Sequence, residues 1–344
     1  MCEPASPEGE ESVVTPSPLL PDAAPANWVD RHAPAAWRPW LKLGRFDRPT
    51  GIWLLMLPGW LGIALYRAEQ GGWPQPRLLI LFAIGAALMR AAGCAFNDIV
   101  DRDFDAKVAR TADRPVASGR ISVPAAWAFV IACCLGGLAI LLTLNLMSLY
   151  LGVCSLALVA AYPFMKRITW WPQAWLGLTF NWGVLMGYAA AQTGPAGVQV
   201  LAFATHAWAT GVDLALYTPP LPASAWLLYA SLVLWTLGYD TIYAVQDLED
   251  DALAGVKSSA RRLGAAAPRM VLLFYLASLA LAVTAWRAAG LGLWFLPVAA
   301  LYGAQLVWQA LRLRLDDPAG ALRLFKSNTL AAVLLFAAIV AGGR

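Results

Sequence analysis

The segment Arg90-Ala-Ala-Gly-Cys-Ala-Phe-Asn-Asp-Ile-Val-Asp-Arg-Asp-Phe-Asp105 closes an apolar run with Asp98, Asp101, Asp103 and Asp105, and leads on to Arg114-Pro115 and Ser118-Gly119-Arg120. Residues 78–95 read as a membrane helix. A carboxylate at such depth costs about 3 kcal/mol unless it is paired or binds a cation. On a helix, Asn97, Asp101 and Asp105 are four residues apart and share one face. Arg90 lies two turns before Asn97 on the same stripe. The pattern recurs: Asp240, Asp247 and Asp251 are spaced by seven and four after the apolar run 225–238. Asn97 and Asp240 sit at the deep ends of the two stripes, Asp101/Asp105 and Asp247/Asp251 at the shallow ends. Two carboxylate pairs facing each other near a membrane surface offer hard oxygen ligands suited to Mg²⁺. Helix ends acidic by chance would not repeat this spacing on two segments.

Composition sets the class. The chain has 344 residues, 60% hydrophobic and 13% charged, against roughly 45–50% and about 25% in soluble domains. It reads as an all-α, polytopic membrane protein. A net charge of +4 is too small to imply nucleic acid. Among 17 tryptophans, Trp28, Trp37, Trp40, Trp73, Trp170 and Trp171 stand near helix ends, as an interfacial belt requires. Cys2, Cys94, Cys133, Cys134 and Cys154 form no metal-ligand spacing and read as packing residues. His32 and His206 lack partners at ligand spacing and read as structural.

Residues 1–27, rich in Pro, Glu and Ser, are expected to be disordered. They show neither a signal peptide nor an acid-poor transit peptide, which points to a bacterial inner membrane. Residues 28–48 look like an amphipathic lead-in. The domain division follows: an extension over 1–40 and a single transmembrane domain over 41–344. Nine spans of about 20 residues are expected, at 49–67, 77–100, 123–144, 146–164, 171–191, 225–246, 268–288, 291–312 and 324–342, around a central cavity. In this layout 20 of the 25 Lys and Arg lie on one side and only Arg67, Arg77 and Arg287 on the other. The asymmetry puts both Asp-rich loops in the cytoplasm. Residues 192–224 read as an extracytoplasmic loop with a short surface or re-entrant helix, since 198–209 is too short to span.

Each acid cluster is followed by cations and hydroxyls: Arg110-Thr-Ala-Asp-Arg114-Pro115 in the first loop, Gly255-Val-Lys257-Ser258-Ser259-Ala-Arg261-Arg262 in the second. A magnesium diphosphate needs that combination, metal on some oxygens and Lys, Arg or Ser on the rest. With these loops, Asn97-Asp98-x-x-Asp101-x-x-x-Asp105 and Asp240-Thr-x-Tyr243-Ala-x-x-Asp247-x-x-Asp250-Asp251 resemble the two signatures of the UbiA superfamily of membrane prenyltransferases. Arg45-Phe-Asp47-Arg48-Pro49-Thr-Gly51, Tyr162-Pro163-Phe-Met-Lys166-Arg167 and Pro172-Gln173…Phe180-Asn181-Trp182-Gly183 resemble the branch that prenylates 4-hydroxybenzoate in ubiquinone biosynthesis. The likeness runs from about residue 43 to the C-terminus.

The resemblance implies Mg²⁺-dependent transfer of a polyprenyl group from polyprenyl diphosphate to the ring carbon ortho to the hydroxyl of 4-hydroxybenzoate. It implies one Mg²⁺ on Asp101 and Asp105 and a second on Asp247 and Asp251. It assigns Arg114, Lys166, Lys257 and Ser258 to diphosphate, and Arg90, Asn97 and Asp240 to the deeper pocket where the acceptor meets the allylic carbon. Asp240 is the candidate to polarise the phenol or take the ring proton. Arg90 or Arg167 would hold the benzoate carboxylate. Two alternatives stand beside this: another acceptor (homogentisate, dihydroxynaphthoate, a chlorophyllide or haem) and a cation transporter, since buried Asp pairs also mark ion pathways.

Overall fold

The computed structural model describes residues 27–106, 111–193, 197–200, 218–248 and 257–343, and of these not the side chains of Phe104, Pro163, Lys166 and Arg167. Helices follow one another: α1 (Trp28–His32), α2 (Arg38–Leu43), α3 (Thr50–Glu69), α4 (Pro76–Val100), α5 (Arg102–Asp105), α6 (Val123–Leu142), α7 (Leu146–Ile168), α8 (Pro172–Asn181) and α9 (Gly183–Ala191). Then come α10 (Ala223–Ala244) with a 3₁₀ turn at Val245–Asp247, α11 (Ser259–Leu263), α12 (Ala267–Ala288), α13 (Phe295–Arg312), α14 (Pro318–Lys326) and α15 (Asn328–Gly342). No strand occurs among the described residues; Asn145 and Gln199 make one isolated bridge.

Proline begins several of these helices. Pro76, Pro124, Pro172, Pro268 and Pro318 stand in the first turn of α4, α6, α8, α12 and α14, where the missing N–H has no intrahelical partner to lose. Asn145 and Ser122 cap α7 and α6 by accepting from the N–H of Ser148 and Ala125. Each expected span coincides with helix, but two are interrupted. The stretch 171–191 divides at Trp182 into α8 and α9, and 324–342 is broken at Ser327. The division drawn at residue 40 falls inside α2. Among the described residues, five segments are long and apolar enough to cross a membrane by length and composition: Thr50–Glu69, Pro76–Val100, Val123–Leu142, Ser259–Ala288 and Pro318–Gly342. Leu135 on α6 is 60% exposed and Leu156 on α7 62%; an outer surface so apolar fits lipid, not water.

Helix α10 is the central element. Leu228, Leu232, Trp235, Tyr239 and Ile242 are fully or almost fully buried along it, packed chiefly against α12 and α8. Polar residues are buried there too. Ser231 Oγ donates to the Ser278 carbonyl at 2.7 Å, and Trp235 Nε1 to Asn328 Oδ1 at 2.9 Å. Asn328 also exchanges hydrogen bonds with Gln309 across α13 and α15, and Tyr275 donates to Gln309 Oε1 at 2.7 Å. This network holds four helices in register. Asn328→Ala strands buried donors on Trp235 and Gln309, each costing about 1–3 kcal/mol. A fall in the thermal midpoint of the detergent-solubilised protein of several degrees is expected; an unchanged midpoint would show that the network adds nothing.

The two faces of the bundle are identified by helix direction. Glu69 at the end of α3 accepts from Tyr188 OH at 2.6 Å and from Ser224 Oγ at 2.7 Å, so α3 and α9 end, and α10 begins, at one face. Helix α4 starts at that face and runs about 37 Å to the other, while α10 runs about 33 Å the same way. Their ends, with Asp101 and Asp247, therefore share the opposite face. Both ends of the stretch 192–222 lie at the Glu69 face, so this stretch departs from and returns to one side; its interior from 201 to 217 lies outside the described residues.

Candidate active site

The last turns of α4 split their polar residues between two directions. Asn97 and Asp101 are exposed, whereas Asp98 is 1% exposed. Asp98 Oδ1 accepts from Arg45 Nη2 at 2.6 Å and lies 3.5 Å from Arg114 Nη1. Its other oxygen is buried without a hydrogen-bond partner among the described residues. Arg45 stands at φ +59°, a left-handed conformation that side chains other than glycine seldom adopt. Its guanidinium also donates to the Lys42 carbonyl.

The carboxylate of Asp105 differs from the expected open ligand. It is 3% exposed and pairs with Arg114 Nη1 at 2.7 Å. Arg114, expected on diphosphate, thus lies between Asp105 and Asp98. The segment behind it is tightly folded. Thr111 Oγ1 donates to the Asp105 carbonyl, Arg114 N to Thr111 O, and Ser118 N to Arg114 O.

The second acid end is Asp247, half-buried in the 3₁₀ turn that finishes α10. Its expected partner Asp251 lies outside the described residues. The basic loop that follows is anchored at three points. Ser259 N donates to Gln173 Oε1 at 3.0 Å, Ser259 Oγ and Thr241 Oγ1 share a hydrogen bond of 2.6 Å, and Lys257 Nζ donates to Ile168 O at 3.3 Å. Ser258, expected on diphosphate, is buried and caps α11 through the Arg261 N–H. Lys257 and Arg261 both lie over the Trp170 ring, at 6.0 and 5.7 Å from its centroid. Lys166 and Arg167 sit on the last turn of α7 beside this loop, their side chains outside the described set.

Deeper in the bundle, Arg90 from α4 lies 5.8 Å above the Phe180 ring of α8. Its Nε is buried and without a hydrogen-bond partner among the described residues. Gly51 makes the room: a Cβ there would stand 2.8 Å from that Nε. Arg90 and Asp240 both act electrostatically on the phenols of Tyr162 and Tyr239. Four helices, α4, α7, α8 and α10, therefore converge on one polar centre below the acid-bearing face. The break between α8 and α9 is fixed here as well. Asn181 Nδ2 lies 2.7 Å from Thr236 Oγ1 and 3.0 Å from Leu232 O.

Arg90 and Asn97 lie on α4 with Asp101 at its C-cap, and Asp240 lies on α10 with Asp247 in the turn that ends it. Tyr162, Tyr239, Gly51, Gln173 and the Arg45–Asp98 pair were not assigned roles from sequence. Five of these six lie in the quoted stretches or signatures, so the signal was present, but the partners lie up to 86 residues apart, as with Gln173 and Ser259. Among the described residues no three Asp, Glu, His or Cys side chains gather as a metal site. The donor chemistry nevertheless fits a hard divalent cation. Asp101 and Asp247 are carboxylates at one face, and the Arg114 guanidinium stands against Asp105 as a positive charge would.

Comparison with known proteins identifies the family. A sequence model described as the UbiA prenyltransferase family matches residues 55–340. The chain is 42% identical over 308 residues to a mitochondrial 4-hydroxybenzoate polyprenyltransferase of Drosophila pseudoobscura pseudoobscura, covering 90% of this chain and 71% of that protein. It is 40% identical over 317 residues to the protein of the same name in Arabidopsis thaliana, covering 92% and 72%. Among solved structures, the apo form of a UbiA homolog from Aeropyrum pernix K1 aligns with a TM-score of 0.63 at 27% identity, over 84% of this chain and 96% of that one. A UbiA homolog from Archaeoglobus fulgidus bound to GPP and Mg²⁺ aligns with a TM-score of 0.54 at 18% identity, over 88% and 99%.

Proposed function

The chain belongs to the UbiA prenyltransferase family, and from that premise we propose how it transfers a polyprenyl group from polyprenyl diphosphate to 4-hydroxybenzoate. The relatives that carry this activity in their names match about nine-tenths of the chain at 40–42% identity. The observation that carries the site reading is that Arg90 of α4 and Asp240 of α10 both act electrostatically on the Tyr162 phenol, below a face that bears Asp101 and Asp247.

Asp101 and Asp105, and Asp247 with Asp251, offer the carboxylate oxygens for Mg²⁺, the ion bound beside GPP in the Archaeoglobus homolog. When bound, Mg²⁺ supplies the positive charge that a departing diphosphate needs. Lys257 and Arg114, with Lys166, donate to the remaining diphosphate oxygens; Ser258 serves them by capping the short helix that carries Arg261. The allylic C–O bond breaks and its electrons leave with the diphosphate. The bundle's apolar walls exclude water from the allylic cation. The ring carbon ortho to the phenol hydroxyl attacks, and Asp240 accepts the proton that this carbon loses. Arg90, over the Phe180 ring and unpartnered at Nε among the described residues, fits a benzoate carboxylate. Asn97 lines the path between that pocket and Asp101. The basic side bears both acid ends, so we place that face toward the cytoplasm of a bacterial inner membrane, or toward the matrix in mitochondria, the organelle in both relatives' names.

The direct test is Mg²⁺-dependent incorporation of radiolabelled 4-hydroxybenzoate into prenylated product by the purified protein. Asp240→Asn should lower kcat by about 10²–10⁴-fold with prenyl diphosphate affinity little changed. An unaltered kcat would remove Asp240 from the proton transfer.

A further inference from the structure

The Mg²⁺-diphosphate reading leaves one arrangement unexplained. A guanidinium expected to bind substrate is already engaged on a carboxylate expected to bind metal. Arg114 Nη1 is 2.7 Å from Asp105 Oδ2 and 3.5 Å from Asp98 Oδ1. Asp98 is no open ligand, being 1% exposed and held by Arg45 at 2.6 Å. A buried carboxylate with one oxygen shared by two cations and the other unpartnered is an expensive feature. It is retained at the cost of a left-handed backbone at Arg45. The main chain around Arg114 is pinned by the hydrogen bonds of residues 111–118, so movement there belongs to the side chain.

We propose that Arg114 is a built-in counter-ion for the first carboxylate site, and that Asp98, fixed by Arg45, is the positioning residue that keeps Arg114 within reach of both Asp105 and an incoming diphosphate. With no diphosphate present, Arg114 neutralises Asp105 and disfavours a lone cation there. An arriving diphosphate offers the guanidinium more negative charge than one carboxylate does and draws it off Asp105. Asp98 retains the arginine during the exchange. The metal site and the phosphate contact thus form together, which prevents the acids from being loaded without substrate. The inference rests on the diphosphate reading above and deepens it.

The test reads metal binding and not turnover. Mn²⁺ is titrated into the full-length protein in detergent and free Mn²⁺ is followed by electron paramagnetic resonance, with and without inorganic pyrophosphate, each titration read against a protein-free one at the same pyrophosphate concentration. Wild type should bind Mn²⁺ weakly alone and about tenfold more tightly with pyrophosphate. Arg114→Gln should bind Mn²⁺ alone about tenfold more tightly than wild type, a gain that misfolding cannot produce. Asp98→Asn keeps Arg114 but removes its anchor; it should show no such gain, and should raise KM for prenyl diphosphate more than it lowers kcat. Unchanged or weaker Mn²⁺ binding in Arg114→Gln, or equal tightening in Asp98→Asn, overturns the counter-ion role while leaving the diphosphate reading intact. Wild-type protein that takes up no Mn²⁺ even with pyrophosphate overturns both.

Discussion

Asp247→Ala is expected to lower the rate of prenyl transfer by about three orders of magnitude while shifting the thermal midpoint by no more than about 2 °C. Asp247 is half-buried on the 3₁₀ turn that ends α10, outside the packed centre of that helix. Its loss removes no apolar contact of the kind that Trp235 or Tyr239 makes. It does remove a hard oxygen donor at the face where the first acid end also lies. The two consequences separate cleanly because stability resides in the interior of α10 and the proposed metal site at its tip. Raising Mg²⁺ should recover part of the lost rate, as weakened binding of an ion is offset by mass action. A variant retaining more than a tenth of the wild-type rate at low Mg²⁺ would remove Asp247 from the metal site. One that melts far below wild type would show a structural role instead.

What could be read from the chain divides along a physical line. Hydropathy and proline placement are local, and Pro76, Pro124, Pro172, Pro268 and Pro318 do begin helices. The acid stripes are also local, because seven- and four-residue spacings hold on any helix. The break at Trp182 was not visible, since Phe180-Asn181-Trp182-Gly183 contains no proline and its cause is distant. Asn181 is tied to Thr236, 55 residues on, and Trp182 Nε1 donates to Leu151 O, 31 residues back. The capture of Arg114 by Asp98 and Asp105 was hidden for a related reason. Spacing shows which helical residues share a face, but not which way a loop cation turns when two acids compete for it. Helix α10 shows the opposite case. Its buried Ser231, Thr236 and Thr241 dilute its hydropathy, yet those same polar side chains make it the scaffold of the site.

The largest stability effect is expected where α3 meets α9. Gly62 of α3 faces the backbone of α9 at Val184, and Gly183 and Gly187 of α9 face the backbone of α3 at Gly59, so the two helices approach until no side chain fits between them. A Cβ on Gly62 would run into the carbonyl oxygen of Val184, and one on Gly187 into that of Gly59. In lipid, such pairs associate through close packing and not through the hydrophobic effect, so small residues at the crossing decide whether the helices dock. Gly62→Ala and Gly187→Ala each gain up to about 1 kcal/mol of helix propensity. Each must also force apart two rigid backbones, which costs about 3 kcal/mol, so the net effect is destabilising. Gly93 on α4 provides the contrast, because a Cβ there meets nothing within 4 Å. Gly93→Ala should therefore leave the midpoint unchanged or raise it. The consequence reaches the site, since α3 also carries Gly51, against which Arg90 rests, and α9 continues from Phe180 and Asn181. Displacing α9 from α3 should thus weaken 4-hydroxybenzoate binding before it affects the acid ends. Thermal melts of the three variants in one detergent decide the matter: equal midpoints for Gly62→Ala and Gly93→Ala would mean that the α3–α9 crossing has room the structure does not show.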